Sequence, residues 1–139
     1  MAEESTLLII KPDAVKRGLA GEILSRIERK GLRIDELRTM RIDPALAERH
    51  YAEHAEKPFF RELVDFITSG DVIVAKVSGR EGISVLRNLM GATDPAKADT
   101  GTLRKEFAES IERNATHGSD APETAAYEIG FFFAGVDLI

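Results

Sequence analysis

At 139 residues with 43% hydrophobic residues the chain is read as one domain, residues 1–139, long enough to bury a core without covalent staples. It has no cysteine, which excludes disulfides, thiolate metal sites and cysteine nucleophiles and fits a reducing compartment. A net charge of −5 argues against a broad nucleic-acid-binding surface but leaves room for a local basic pocket.

The acidic start "MAEESTLLII" has neither the basic lead nor the apolar length of a signal peptide or a membrane span, so the expected location is cytoplasmic. Thr6 to Ile10 is a short apolar run with β-branched ends and reads as a buried strand. Pro12-Asp13 in "KPDAVKRG" marks a turn. In "LAGEILSRIERKG", Leu19, Ile23, Leu24 and Ile27 fall on one helical face, with Gly31 as the stop. "LRIDELRTMRI" is read as a strand, although Leu37 breaks the alternation of Ile34, Met40 and Ile42. Asp43-Pro44 starts a short helix that runs through Tyr51.

"PFFRELVDFITSG" has helical spacing, "DVIVAKV" is a strand, and "EGISVLRNLMG" is a helix with Ile83, Leu86 and Met90 inward and Gly91 at its end. From Ala92 to Arg113 no long period holds, and only "TLRKEFA" suits a helical turn or two. A stretch of this kind in a compact domain is usually functional. "NATHG" is a candidate strand and "PETAAYEIGFFF" a helix, with Asp120 and Glu123 resembling a capping box. This order fits the βαββαβ pattern of a ferredoxin-like α/β sandwich: a four-stranded antiparallel sheet, a long loop before the last strand and a C-terminal helix.

Three kinds of chemistry are set aside. His50 and His54 are spaced to share a helix face, but Tyr51 stands where a zincin has glutamate and no third ligand is evident, so they read as surface histidines. His117, Ser119 and Asp120 are too close along the chain to form a serine relay, and no G-x-S-x-G elbow exists. There is no Walker A loop or G-x-G-x-x-G. What remains is a set of phosphate-compatible donors: Lys11 at a strand end, Arg87 on a helix, and Thr93 and Arg104 in the long loop. Singly, each also suits a solvated surface. Phe59 and Phe60 start a helix that cannot bury both equally, so one suits the core and the other a platform for a ring. His117 suits a plain turn, but its side chain also has the chemistry of a nucleophile, with Glu128 on the next helix as a candidate to orient it.

The stretches "TLLIIKPDAVKRGLAGEILSRIERKG", "HYAEHAEKPFFRELVDFITSG", "LRNLMGATDPAKA", "GTLRKEF" and "RNATHGSD…YEIGFF" resemble the nucleoside diphosphate kinase family along almost the whole chain. The motif N-x-x-H-G-S-D is highly specific. The resemblance implies a phosphotransferase that moves the terminal phosphate of a nucleoside triphosphate, typically ATP, to a nucleoside diphosphate by ping-pong through a phosphohistidine. It makes His117 the nucleophile, Glu128 the acid that orients it and Ser119 the support of that acid. It makes Lys11, Tyr51, Arg87, Thr93 and Arg104 phosphate contacts. Lys11 and Asn114 also meet the ribose 3′-hydroxyl, and the base stacks on Phe59 with Ile111 on its other side, which implies broad base tolerance. Mg²⁺ is implied as cofactor, held mainly by the nucleotide phosphates with no dedicated protein ligands. A homo-oligomer, tetramer or hexamer built from dimers, is implied as well. The alternative is a catalytically inactive nucleotide-binding or interaction module on the same fold.

The chain departs from the family pattern at a few positions. Ala121 stands where serine is usual after H-G-S-D, so Asp120 is expected to cap the last helix in its place. Thr100 stands for a proline, and Lys105-Glu106 for Gly-Asp, in the loop that lies at subunit contacts in the family.

Overall fold

A computed structural model describes residues 3–111 and 113–133. The tail after Phe133 lies outside the described residues. The elements in chain order are β1 (Glu3–Ile10), α1 (Pro12–Lys16), α2 (Ala20–Arg29), β2 (Arg33–Met40), α3 (Pro44–His50), α4 (Phe60–Ile67), β3 (Val72–Arg80), α5 (Gly82–Met90), α6 (Leu103–Phe107), β4 (Thr116–Gly118) and α7 (Pro122–Phe132). Short 3₁₀ turns occupy Ala52–His54 and Pro95–Lys97.

The sheet runs β2-β3-β1-β4 with every neighbour antiparallel, as the βαββαβ pattern requires. Leu8 and Ile10 of β1, with Ala75 and Val77 of β3, pack under α2, α5 and α6. Leu7 and Ile9, with Val72 and Val74, pack under α3, α4 and α7. Helices therefore cover both faces, which is why β1 carries a continuous apolar run where a one-faced strand would alternate. The irregular pattern of β2 has a local cause: its register against β3 slips between Ile34 and Glu36, and this edge strand leaves Leu37 54% exposed.

Most helix ends follow their chemistry. Asp43 accepts a hydrogen bond from the Leu46 N–H at 2.8 Å, with Pro44 in the first turn of α3. Two expectations are corrected. Pro12-Asp13 opens α1, a short helix, because proline at the first helical position needs no N–H partner. Asp120 does not cap α7. The cap position is Ala121, extended at φ −155°, ψ 161°, with no side-chain bond. Asp120 lies one residue too early for its carboxylate to serve as the cap.

Candidate active site

His117 is the middle residue of β4 and pairs with Ile9 of β1. It therefore shares the sheet face of Ile9, toward α3 and α7. Its neighbours Thr116 and Gly118 point the other way. A Cβ on Gly118 would lie 3.0 Å from the Met90 sulfur and 3.1 Å from Leu86 Cδ2, so a larger residue there would press β4 away from α5.

The helix α7 returns Glu128 to this strand. Its Oε1 lies 3.0 Å from Nε2 of His117 and accepts a 2.6 Å hydrogen bond from Ser119 Oγ. Ser119 Oγ in turn accepts from the Leu7 N–H at 3.2 Å, so the carboxylate is braced from the central strand. A carboxylate accepts, so Nε2 of His117 carries the hydrogen, and Nδ1 is the ring nitrogen left for chemistry. The Glu128 carboxylate is almost wholly buried, whereas the His117 side chain is 23% exposed.

The turn before β4 sets the second half of the site. Ala115 has φ +73°, a left-handed conformation that costs a non-glycine residue of order 1–3 kcal/mol. Its backbone is held from both sides: its N–H donates to the Asp13 carboxylate at 3.0 Å and its carbonyl accepts from the Lys11 N–H at 2.8 Å. The kink turns Asn114 so that its Oδ1 accepts from Lys11 Nζ at 2.9 Å. Burial, reinforced by the nearby Arg104 charge and opposed by Asp13, lowers the Lys11 pKa to about 8. Burial also raises the Asp13 carboxyl above its ordinary value.

Arg104 donates to the carbonyls of Gly91 at 3.0 Å and Thr116 at 2.9 Å. Its pKa falls to about 10, through burial and then the Arg87 charge. Arg87 donates to the Gly118 carbonyl at 3.2 Å. These three cations, Tyr51, Thr93, Asn114, His117 and Glu128 line one cavity of about 250 Å³. Tyr51 is buried, and that burial raises its phenol pKa. An adjoining cavity of about 650 Å³ shares Lys11, Tyr51, Thr93 and Asn114 and opens between Phe59 and Ile111, which are 43% and 52% exposed. Phe60 packs instead against the core under α3, α4 and α7. The end of β1, the edge strand β4, helices α3, α4, α5 and α7 and the long loop thus bring ten of the eleven sequence-selected residues to one cleft, with Ser119 buried behind Glu128.

Two residues at the site were not found from the sequence. Asp13 has no sequence signal beyond its place in a presumed turn. His50 was read as a surface histidine, but its side chain is only 2% exposed, whereas that of His54 is 31% exposed. Its Nδ1 lies 3.4 Å from Oε2 of Glu128. His50, His117 and Glu128 present ligand atoms all within 4.8 Å of one another. Two imidazoles and one carboxylate suit a borderline metal better than Mg²⁺, which prefers oxygen. A cation there would also take Glu128 from His117.

The sequence pattern of the family described as nucleoside diphosphate kinase matches residues 4–138. The nucleoside diphosphate kinase of Thermomicrobium roseum is 54% identical over 136 residues, 98% of this chain and 91% of that one. The enzyme of Rubrobacter xylanophilus is 57% identical over 132 residues, 95% and 99% of the two chains. Among solved structures, the Aquifex aeolicus nucleoside diphosphate kinase superposes with a TM-score of 0.94 at 40% identity, covering 99% of this chain and 100% of that one. A halophilic nucleoside diphosphate kinase from Halobacterium salinarum in complex with CDP gives 0.92 at 44% identity, covering 96% and 89%.

Proposed function

The chain belongs to the nucleoside diphosphate kinase family and is an enzyme of that activity, and from that premise we propose that His117 is its phosphate carrier. In the first half-reaction Nδ1 of His117 attacks the terminal phosphorus of a nucleoside triphosphate. An N–P bond forms, the bond from that phosphorus to the bridging oxygen breaks, and the diphosphate leaves. In the second half, the terminal phosphate oxygen of another diphosphate attacks the phosphohistidine and restores free His117. One pocket serves both halves in turn, so a single histidine suffices.

The observation that carries this reading is the chain Leu7 N–H, Ser119 Oγ, Glu128 Oε1, His117 Nε2, which ends beside Lys11, Arg87 and Arg104. Phosphoryl transfer needs positioning and charge stabilisation more than covalent help. The two guanidinium forks and the ammonium supply the charge, and Tyr51 and Thr93 add hydroxyl donors. Asn114 and Lys11 face the ribose, and the base sits between Phe59 and Ile111. Stacking reads a ring face and not its edge, so many bases fit. Mg²⁺ enters with the nucleotide phosphates. Among the described residues the ligand-type groups that cluster, His50, His117 and Glu128, include one carboxylate, where a dedicated Mg²⁺ cage would need several oxygens.

We read the chain as one catalytic domain, 1–139, acting in a homo-oligomer built from dimers, tetramer or hexamer, as its resemblance to the family implies. The exposed Leu37 on the open edge strand supports such assembly. Cytoplasmic residence is consistent with the described residues, in which no helix is long and apolar enough to cross a membrane.

The test is labelling with γ-labelled ATP and Mg²⁺ in the absence of acceptor. The label should become protein-bound, acid-labile and alkali-stable, and should leave on addition of GDP. His117→Ala should take none. Folded wild-type protein that never takes label would remove the assignment of His117.

A further inference from the structure

His50 is the last residue of α3, and it is wedged against the pair that does the chemistry. Its ring stands edge-on to the rings of His117 at 4.6 Å, Tyr51 at 4.7 Å and Phe132 at 5.5 Å. Its Nδ1 is fully buried and has no hydrogen-bond partner of good geometry, yet Oε2 of Glu128 lies 3.4 Å away. Oε1 of the same carboxylate already receives His117 and Ser119. Among the described residues, the other hydrogen bonds of Glu128 are thus made by one oxygen, and His50 faces the second.

We propose that His50 is a positioning residue for phosphoryl transfer: its Nδ1–H donates to Oε2 of Glu128 and holds the carboxylate in the rotation that leaves Oε1 on Nε2 of His117. A carboxylate anchored at one oxygen alone turns about its terminal torsion, which is broad and roughly two-fold. Anchored at both, it presents one oxygen to His117 throughout the cycle. The ring does this as a neutral donor. Burial, and then the charges of His117, Lys11 and His54, hold it against protonation. Neutrality matters because a cationic His50 would compete with His117 for the charge of Glu128. The 3.4 Å separation is long for a hydrogen bond, as active-site contacts often are before substrate binds. With its side chain 2% exposed, His50 acts through Glu128.

This inference rests on His117 as the phosphate carrier, and the experiment separates the two. Single-turnover phosphorylation by ATP is measured for wild type, His50→Leu and His50→Asn, alongside the ¹⁵N spectrum of the His117 ring. Asparagine places an amide N–H near the Nδ1 position, and leucine removes the donor. His50→Leu should phosphorylate about tenfold more slowly, the size of one hydrogen bond to a charged group, with ATP affinity within about twofold. His50→Asn should recover to within about threefold of wild type. The His117 ring should show one tautomer in wild type and a mixture in His50→Leu. Should the leucine variant not fold, His50→Gln, whose amide lies near the Nε2 position, takes its place. A wild-type rate without the donor, or an equal loss with asparagine, overturns the role of His50. Absence of label on wild-type protein overturns instead the assignment of His117 beneath it.

Discussion

Ser119→Ala tests the brace behind the nucleophile most directly. Ser119 is fully buried, and its hydroxyl makes two bonds at once: it donates to Glu128 Oε1 at 2.6 Å and accepts from the Leu7 N–H at 3.2 Å. The substitution removes a hydrogen bond to a charged group, ordinarily ~1.5–3 kcal/mol, and strands a buried backbone N–H, ordinarily ~1–3 kcal/mol. The two losses share one atom and overlap, so the expected destabilisation is about 3 kcal/mol. At the 2–4 °C per kcal/mol typical of somewhat larger domains, that is a fall in Tm of roughly 10 °C. The assay is urea unfolding at fixed protein concentration. The midpoint should drop with the slope unchanged, because the folded compactness is the same. Ser84→Ala, at an exposed position of α5, is the control and should stay within about 0.5 kcal/mol. A loss below about 1 kcal/mol for Ser119→Ala would show that the hydroxyl is not bridging β1 to Glu128, and the account of the brace would be wrong.

The other predictions concern charge, capping and the loop. Lys11 is depressed to about 8 by burial, so it carries its charge below that pH and loses it above. Anion binding follows the charged form: ADP affinity measured by calorimetry should hold from pH 6.5 to 7.5 and fall at least threefold by pH 9, and a flat profile would contradict it. At the N-cap of α7, Ala121 has extended backbone and no side-chain bond, so Ala121→Ser should add about 1 kcal/mol and raise Tm by a few degrees, with turnover changed less than tenfold. An unchanged Tm would argue against a vacant cap. Asp99 to Thr102 close a turn through the Thr102 N–H to the Asp99 carbonyl at 3.2 Å, and Gly101 has φ +91°. Thr100 therefore sits where a type II turn favours proline. Thr100→Pro should stabilise by about 0.4–1 kcal/mol and move oligomer dissociation to higher urea, and a lower midpoint would count against the turn assignment.

Particular residues show what could be read from the chain and why other features could not. Asp43-Pro44 announced α3, and the spacing of Ile83, Leu86 and Met90 announced the buried face of α5, because caps and helical faces are set within a few residues. Asp120 misled for the same kind of reason: a capping pair is recognisable only if the cap residue is known, and the boundary fell one residue later. Leu37 looked irregular because a register slip on an edge strand leaves no local trace beyond the broken alternation.

By itself the sequence determined the strand and helix order, the family and which side chains were chemically able to handle phosphate. His117, Glu128 and the basic residues could be chosen from type and motif spacing. Tertiary structure decided what those side chains do to one another. His50 and His54 are equivalent in the chain, yet one is sealed behind Glu128 and the other lies toward solvent, because α3 ends against α7 and the turn after it does not. Lys11 is pulled toward neutrality because Arg104 and Asn114, about a hundred positions away in the chain, meet it at one end of β1, where Arg104 is anchored on the carbonyls of Gly91 and Thr116. Periodicity and capping act over a few residues and are visible locally. Burial, charge coupling and the bracing of a carboxylate act across the sheet, and exist only once β4 has paired with β1 and α7 has closed over it.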